Sequence, residues 1–287
     1  MSLQNMTLVN GLPATSISIL DRGFQFADGL FTTVAYRRGR LEYWDTHLQR
    51  LVAGCKTLGI VSPSPQQLLK EARSLTAQFT SAGAKNAVLK LTVTRGETER
   101  GYASAHSLSP NRVVSCFAWP TPFVPELRAA RVDLSSVTLR SQPLLAGLKH
   151  LNRLEQVMAR NLSQGLGLDE CLLCDTRGHV ISGSMTNVFV IKDHQVWTPE
   201  LYSQGVSGVM RAVVLQRLKE LGQRVQIRQI PYYACEAADE IFLTNSLVGV
   251  WSIGQLGKRV FTIGGSMASN LRDSLINDPP DGVPWIP

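Results

Sequence analysis

A single lysine is surrounded by leucines in the sequence Leu144-Leu145-Ala146-Gly147-Leu148-Lys149-His150-Leu151-Asn152-Arg153-Leu154-Glu155-Gln156-Val157-Met158-Ala159-Arg160. Apolar side chains recur every three or four residues beyond this lysine, which predicts a helix that begins near Leu151. Lys149 then lies at the entrance to a helix, on a short segment that contains Gly147. The leucines expected to form an apolar wall around it are Leu144, Leu145, Leu148, Leu151 and Leu154.

Two roles are open for Lys149. An amine that apolar neighbours remove from water is less easily charged, and it becomes a usable nucleophile. Amines of this kind form Schiff bases with carbonyl substrates or with pyridoxal phosphate. Alternatively, the side chain lays its stem along leucine and keeps its charged end in water. The segment by itself leaves both roles open.

The composition is that of a globular protein with a large core. Of the 287 residues, 44% are hydrophobic and 18% are charged, and the mean hydropathy is close to zero. No segment approaches the roughly 18 consecutive apolar residues of a membrane span, and the start lacks the pattern of a secretory signal. We therefore expect a cytoplasmic protein with no membrane partner, folded as one large domain or two smaller ones.

Five scattered cysteines fit reduced thiols in the cytoplasm better than a disulfide framework. Cys171 and Cys174 have the spacing of one half of a zinc site, but no second pair and no histidine spacing accompanies them. They lie in a predicted strand, where positions three apart face opposite sides. We interpret both as core residues and predict no metal site.

The net charge of +7 favours anionic ligands. A basic, non-catalytic nucleic-acid-binding protein is one hypothesis from this charge. The basic residues are dispersed, however, and no aromatic-rich strand motif accompanies them. A small acidic substrate or a phosphorylated cofactor explains the same excess, so we expect no nucleic-acid partner.

Hairpins with interspersed helices, rather than regular βαβ repeats, predict two α+β-like domains. A smaller N-terminal domain is expected over 1–119, a proline-rich linker over 120–127 and a larger C-terminal domain over 128–287. Asp45 and the pair Ser64-Pro65 are expected to begin helices. The predicted strands include Ser16–Leu20, Leu30–Tyr36, Asn86–Thr94, Arg112–Trp119, Val132–Leu139, Glu170–Asp175 and Val188–Ile191. Other predicted helices are Leu151–Gln164, Gly208–Leu221 and a last one capped by Gly264-Gly265-Ser266.

Three further features are candidates for anion binding. Gly205-Val206-Ser207-Gly208-Val209-Met210-Arg211 leads into a helix, whose first N–H groups are available to a phosphate. Thr244-Asn245-Ser246 ends a strand and offers hydroxyls, and Arg50 offers a charge. Each also has a structural explanation: a helix cap, a turn and a solvated helix face. The residues alone do not decide between the two readings.

A spaced motif resembles the class IV aminotransferase family. It reads Ser182-Gly183-Ser184-Met185-Thr186-Asn187-Val188-Phe189, then Val196-Trp197-Thr198, then Gly208-Val209-Met210-Arg211. The spacings agree over some thirty residues, and the resemblance extends over nearly the whole chain. It implies a two-domain fold type IV enzyme similar to D-amino acid aminotransferase, with α+β and α/β character. It also implies that the C-terminal domain binds pyridoxal 5'-phosphate.

The resemblance also implies roles for individual residues. It favours Lys149 as the lysine that forms the Schiff base. Around the phosphate it implies Arg50, Ser246 and the backbone at Val209 and Met210.

Within this family the chain is most similar to its lyase branch, the members that release pyruvate and p-aminobenzoate. The matching passages are Asp28-Gly29-Leu30-Phe31-Thr32-Thr33, Thr94-Arg95-Gly96 through Arg100-Gly101-Tyr102, and Gly147 to Gln156. Thr33 and Asn245 match positions on the substrate side, and Thr33 is expected to assist Lys149 in proton transfer. Arg95 and Arg100 are expected to bind the two carboxylates of a small anionic substrate.

One position departs from the family pattern. The family has a glutamate that keeps the pyridine nitrogen protonated, and Ser182 stands in its place. A serine hydroxyl can only hydrogen-bond that nitrogen, so the cofactor should be a weaker electron sink. Amino transfer should suffer from this loss more than an elimination that forms an aromatic ring. The departure therefore favours a carbon–oxygen lyase over the alternative, a D-amino acid or branched-chain aminotransferase.

The resemblance further implies a homodimer, because family members borrow active-site residues from a partner subunit. The loop from Arg95 to Ser109 is expected near that interface. The tail from Asp278 to Pro287 is rich in proline and suggests an extended segment.

Overall fold

The computed structural model describes residues 6–104, 108–120, 128–262, 267–280 and 282–286. The chain divides into two compact units. The first is Met1–Pro122 together with Lys149–Asn152, and the second is Phe123–Leu148 together with Arg153–Pro287. Apart from Pro120, the expected linker lies outside the described residues, so the domain boundaries stay a prediction.

The first unit contains a six-stranded sheet in the order β2-β1-β6-β5-β3-β4. Its strands are β1 Met6–Val9, β2 Leu12–Pro13, β3 Gly29–Arg37, β4 Arg40–Leu41, β5 Ala87–Thr94 and β6 Asn111–Ala118. Its helices are α1 Arg22–Phe26, α2 Trp44–Leu58 and α3 Pro65–Ser81. All pairings within this sheet are antiparallel.

The two faces of β3 differ, as period-two alternation requires. Leu30, Thr32 and Val34 are buried, whereas Phe31 and Thr33 are half-buried on the opposite face. Helix α2 packs so closely on the buried face that a Cβ at Gly54 would lie 2.9 Å from Leu30. The other face of the sheet therefore carries the more accessible side chains.

The second unit contains a nine-stranded sheet in the order β12-β11-β10-β13-β14-β7-β8-β9, with β15 paired to β14. Its strands are β7 Ala130–Leu134, β8 Glu170–Cys174, β9 Val180–Gly183, β10 Asn187–Lys192, β11 Gln195–Pro199, β12 Val225–Arg228, β13 Glu240–Asn245, β14 Gly249–Leu256 and β15 Arg259–Val260. Its helices are α4 Leu154–Gly165, α5 Val209–Glu220, α6 Tyr232–Glu236 and α7 Met267–Asn277, with a 3-10 turn at Pro143–Leu145.

The cysteines confirm the interpretation of C-x-x-C as core. All five lie in the described part of the chain, and all five are buried and unbridged. Cys174 packs in one hydrophobic cluster of the second unit and Cys171 in another. Burial raises the pKa of both thiols to about 11.

The expected apolar wall around Lys149 is wrong. Leu144 is 78% exposed and Leu154 is 71% exposed, and only Leu148 is fully buried among the five leucines. Helix α4 begins at Leu154 and turns its small residues Ala159 and Ser163 inward. Its large apolar side chains Leu154, Val157, Met158 and Leu162 are all more than half exposed.

Three other expectations fail or fall outside the described residues. The segment Ser16–Leu20 is not a strand, because Ser18 makes a turn with Leu20 and Asp21. Asp45 lies in the first turn of α2 and is not its N-cap, which is Tyr43. The expected cap at 264–266 is not described. Of the helices that the structure describes, none is long and apolar enough to cross a membrane.

Candidate active site

The backbone of Lys149 is fixed by the start of β3. The N–H of Phe31 donates to the carbonyl of Lys149 at 2.9 Å, and the N–H of Leu151 donates to Gly29 at 2.9 Å. Leu30 and His150 form an antiparallel bridge between these two bonds. The lysine therefore sits on a strand-like segment of the first unit rather than on a loose loop.

The side chain of Lys149 is half-buried against an aromatic ring instead of a leucine wall. Its Nζ lies 4.6 Å from the centre of the Phe31 ring. Lys90 places a second ammonium group 5.1 Å from the same ring. Sequence reasoning missed Lys90, although strand register could have found it, since Lys90 pairs directly with Thr33. Thr33 is half-buried on the same face as Phe31.

Arg50 is buried, at 5% exposure, so it does not lie on a solvated helix face. Its Nη2 donates to Thr32 Oγ1 at 2.7 Å, and that oxygen is 2.6 Å from Nδ1 of His47. Burial, and then the charges of Arg50 and Lys149, hold the pKa of His47 well below 6.5. A neutral imidazole therefore shares the threonine hydroxyl with a charged guanidinium.

Arg95 and Arg100 differ in their surroundings. The guanidinium of Arg95 donates to Asp28 at 2.7 and 3.1 Å, and to the carbonyls of Leu58 and Gly59 at the end of α2. Arg100 is exposed, and its side chain forms no hydrogen bond or ion pair with the residues that the structure describes. Arg100 is therefore the more available of the two for a ligand.

In the second unit, the start of α5 is shaped by Asn187 and Gly208. Asn187 Nδ2 donates to the carbonyl of Val206 at 2.8 Å, and a Cβ at Gly208 would lie 2.0 Å from Asn187 Oδ1. Only glycine fits there. Val209 and Met210 follow as the first helical residues, where backbone N–H groups have no acceptor within the helix and attract anions.

A buried cation follows directly on this turn. Arg211 is 3% exposed, and its Nη2 donates to the carbonyl of Pro199 at 3.1 Å. Burial lowers the pKa of its guanidinium to about 10. A buried positive charge beside a helix N-terminus makes this region favourable to an anion.

Ser182 lies on β9, opposite Leu173, and is 8% exposed. Glu170, at the start of the neighbouring strand β8, is completely buried. Both carboxylate oxygens of Glu170 accept hydrogen bonds. Most of the donors lie in the turn after β9, and they are the N–H groups of Ser184 and Met185 and the hydroxyls of Ser184 and Thr186; the other is the N–H group of Cys171. Glu170 therefore shapes this turn, a role for which the sequence contains no local signal.

Asn245 ends β13 and builds the turn that follows. Its Oδ1 accepts from the N–H groups of Leu247 and Val248 at 2.9 Å, and its Nδ2 donates to the carbonyl of Met185 at 3.3 Å. Ser246 is half-buried within the same turn. The side chain of Asn245 therefore holds Ser246 in place.

Each unit brings some of the predicted site residues together. Lys149, Thr33, Arg50, Arg95 and Arg100 belong to the first unit, and Ser182, Val209, Met210, Asn245 and Ser246 belong to the second. The first supplies an amine over a ring and a buried guanidinium. The second supplies a helix N-terminus with a turn of polar residues. These are the groups that a phosphorylated aldehyde cofactor requires.

This fold and these groups define a pyridoxal-phosphate enzyme of fold type IV. The chain belongs to the class IV aminotransferase family, whose model matches residues 29–256. It is 37% identical over 246 residues to the aminodeoxychorismate lyase of Vibrio harveyi, covering 85% of this chain and 89% of that protein. The crystal structure of 4-amino-4-deoxychorismate lyase from Pseudomonas aeruginosa superposes with a TM-score of 0.87 at 38% identity, over 95% of this chain and 98% of that one.

A D-alanine aminotransferase is less similar to this chain. The D-alanine aminotransferase of Bacillus licheniformis is 27% identical over 268 residues, covering 91% of each chain. The family resemblance expected from the sequence is thereby confirmed, as are the fold and the cofactor.

Proposed function

We propose that the protein is a 4-amino-4-deoxychorismate lyase, which forms p-aminobenzoate and pyruvate for folate biosynthesis. The observation that carries this proposal is the similarity to two lyases at 37% and 38% identity over most of each chain. The D-alanine aminotransferase reaches 27%. The product carboxylates also suit a chain with a net charge of +7.

Pyridoxal phosphate would be held by residues of this chain that suit its parts. Lys149 would bind the aldehyde carbon of the cofactor covalently, since the side chain of Lys149 is half-buried with its amine over the Phe31 ring. Arg50, Ser246 and the N–H groups at Val209 and Met210 would bind its phosphate. Ser182 would face the pyridine nitrogen as a hydrogen-bonding hydroxyl, because Glu170 is engaged in its own turn.

The bound cofactor supplies an electron sink at the substrate carbon that bears nitrogen. The substrate amine would replace Lys149 on the aldehyde carbon, and the freed amine of Lys149 would then take the proton from that ring carbon as the general base. The carbon–oxygen bond to the enolpyruvyl group then breaks, the ring becomes aromatic, and the leaving group is protonated to pyruvate. Thr33, on the accessible face of β3, assists Lys149 in delivering that proton.

The substrate carries two carboxylates. Arg100 would bind one of them, since the guanidinium is exposed. Arg95 stays a predicted substrate-binding residue, although its donors engage Asp28 and the end of α2. Asn245 would contribute on the substrate side through the turn it organises.

A second candidate function is amino transfer to or from a D-amino acid or a branched-chain amino acid. The 27% identity to a D-alanine aminotransferase over 91% of both chains favours it. Ser182 weakens it, because amino transfer depends more strongly on a charged pyridine ring.

We further propose a cytoplasmic homodimer. Exposed large apolar side chains in both units support a second copy: Leu12, Ile19 and Phe24 in the first unit, and Leu154, Leu162 and Leu166 on or just after α4 in the second, each more than half exposed. Five buried thiols suit a reducing compartment. Light scattering should give twice the mass of one chain, and an active monomer would contradict the dimer.

The test is a product assay on purified protein loaded with cofactor. With 4-amino-4-deoxychorismate it should release p-aminobenzoate and pyruvate in equal amounts. With leucine or D-alanine and 2-oxoglutarate it should form little glutamate. Efficient amino transfer without p-aminobenzoate would refute the lyase and favour the second candidate.

A further inference from the structure

Arg22 is a buried arginine whose side chain binds the loop that follows β5. It begins α1, is 4% exposed, and lies over the Phe26 ring at 4.9 Å. All three of its guanidinium nitrogens donate hydrogen bonds: Nε to Asp28 Oδ2 at 2.9 Å, Nη1 to Thr98 Oγ1 at 3.1 Å and the carbonyl of Gly101 at 3.0 Å, and Nη2 to the carbonyl of Tyr102 at 2.7 Å. Three of these four acceptors belong to the loop that follows β5.

Asp28 connects Arg22 and its loop contacts to the rest of the first unit. Its Oδ2 accepts from both Arg22 and Arg95, at 2.9 and 2.7 Å. Burial alone would raise the pKa of Asp28, but the hydrogen bonds and charges of Arg95 and Arg22 lower it overall. Since Arg95 also binds carbonyls at the end of α2, the loop is anchored to a helix through one carboxylate.

Backbone contacts hold the same loop at its base. The N–H of Arg22 donates to the carbonyl of Gly96 at 2.9 Å, and the N–H of Thr98 donates to Leu20 at 3.3 Å. Gly96 has φ +94, and a Cβ there would lie 2.0 Å from the carbonyl of Ser109. The residues on both sides of Arg100 are therefore fixed, while Arg100 itself points to no acceptor among the described residues.

We propose that Arg22 is a positioning residue that fixes Arg100 for recognition of a substrate carboxylate. This rests on the proposed function, because it assigns the ligand of Arg100 to that substrate. A loop that is already ordered loses less conformational entropy when the carboxylate binds, so affinity rises without new contacts. The planar fork of an arginine can bind three loop acceptors and Asp28 together, which the single ammonium group of a lysine cannot do.

The experiment compares the cofactor-loaded protein with Arg22→Lys, which keeps the charge and the number of tryptic sites. Arg22→Lys should speed tryptic cleavage after Arg100 roughly tenfold, because the carbonyls of Gly101 and Tyr102 lose charged donors. It should also raise the KM for 4-amino-4-deoxychorismate about tenfold while kcat changes less than about twofold. Arg177→Gln is the matched control, since that arginine is exposed and its ion pair lies in the second unit.

Two further variants make the test decisive. In an Arg100→Gln background, Arg22→Lys should no longer raise the KM, because the residue it positions is gone. Thr98→Val removes one acceptor of Arg22 and leaves the ion pair with Asp28 intact. It should raise the cleavage rate and the KM in the same direction as Arg22→Lys, but by smaller factors.

An equal KM penalty with and without Arg100, or unchanged cleavage after Arg100, would overturn the proposal. If the unmodified protein forms no p-aminobenzoate, the proposed function and the carboxylate assignment both fail. Faster cleavage in Arg22→Lys would then still show that Arg22 holds the loop in place.

Discussion

Phe31 contacts Lys149 twice: its backbone N–H donates to the lysine carbonyl at 2.9 Å, and its ring lies 4.6 Å from the ammonium nitrogen. The first contact fixes where the lysine backbone lies, and the second fixes where its amine points. A β-strand therefore positions the amine on which the proposed chemistry depends.

Phe31→Leu should slow the lyase without releasing the cofactor. Leucine keeps the backbone bond and much of the apolar bulk, but it loses the attraction between ring and ammonium, about 0.5 to 1 kcal/mol. Turnover should fall about two- to fivefold, while the absorbance of the covalently bound cofactor is retained. Phe117→Leu, at a half-buried position on β6, is the control. Equal turnover in both variants would show that the ring does not orient Lys149.

Thr32→Val should weaken cofactor binding more than catalysis. The hydroxyl of Thr32 accepts from Arg50 at 2.7 Å, and a hydrogen bond to a charged group is worth about 1.5 to 3 kcal/mol. The Kd for pyridoxal phosphate should therefore rise about 10- to 100-fold, and further in Arg50→Ala. Turnover at saturating cofactor should be nearly unchanged, because a phosphate contact stabilises ground and transition states alike.

Fluorescence titration of cofactor into the apoprotein measures that Kd, with Thr57→Val on the exposed side of α2 as the control. A large loss of turnover with unchanged affinity would instead give Arg50 a catalytic role.

His47 should make the protein less stable in mild acid. Burial holds its pKa well below 6.5 in the folded chain, so below pH 6.5 the unfolded chain binds a proton that the folded chain does not. The free energy of unfolding should fall as the pH decreases from 6.5 towards the folded-state pKa, by up to about 1.4 kcal/mol per pH unit.

Urea unfolding of the protein and of His47→Gln at several pH values between 5 and 8 tests this. In His47→Gln, the free energy of unfolding should lack the part of its pH dependence that His47 contributes. Parallel curves would mean that His47 does not titrate between the two states in this range.

The sequence predicted local elements well where alternation and helical spacing were strong. The predicted strands Asn86–Thr94 and Arg112–Trp119 match β5 and β6 within one residue, since each is a short run rich in apolar and β-branched residues. The helix opened by Pro65 is α3. The family motif located the start of α5, where Asn187 leaves no room for a side chain at Gly208.

Which face of an element is buried was harder to predict. On α4 the periodic leucines indicated a buried stripe, but Ala159 and Ser163 face inward and Leu154 and Leu162 face outward. Periodicity identifies a helix face, yet it does not say whether the sheet of the same chain or another surface covers it. Long-range polar contacts such as those of Arg22 with Gly101 and Tyr102 also leave no local signal.

Ser182→Glu should shift the balance of activities towards amino transfer. Ser182 is 8% exposed on β9, and a glutamate there could keep the pyridine nitrogen charged and strengthen the electron sink. The ratio of glutamate formed from D-alanine and 2-oxoglutarate to p-aminobenzoate formed should rise about tenfold or more, which is about 1.4 kcal/mol. Ser182→Gln, of the same size but without the charge, is the control. The same ratio in both variants would show that charge at this position does not select the reaction.

The central claim is that Lys149 carries the cofactor, and borohydride reduction followed by tryptic peptide mapping tests it most directly. Reduction should fix the cofactor on one lysine and block cleavage there, so the labelled peptide should span residues 141–153. Lys149→Ala should lose both the label and the near-visible absorbance. A label on the peptide 86–95, which contains Lys90, or on any other lysine would contradict the assignment.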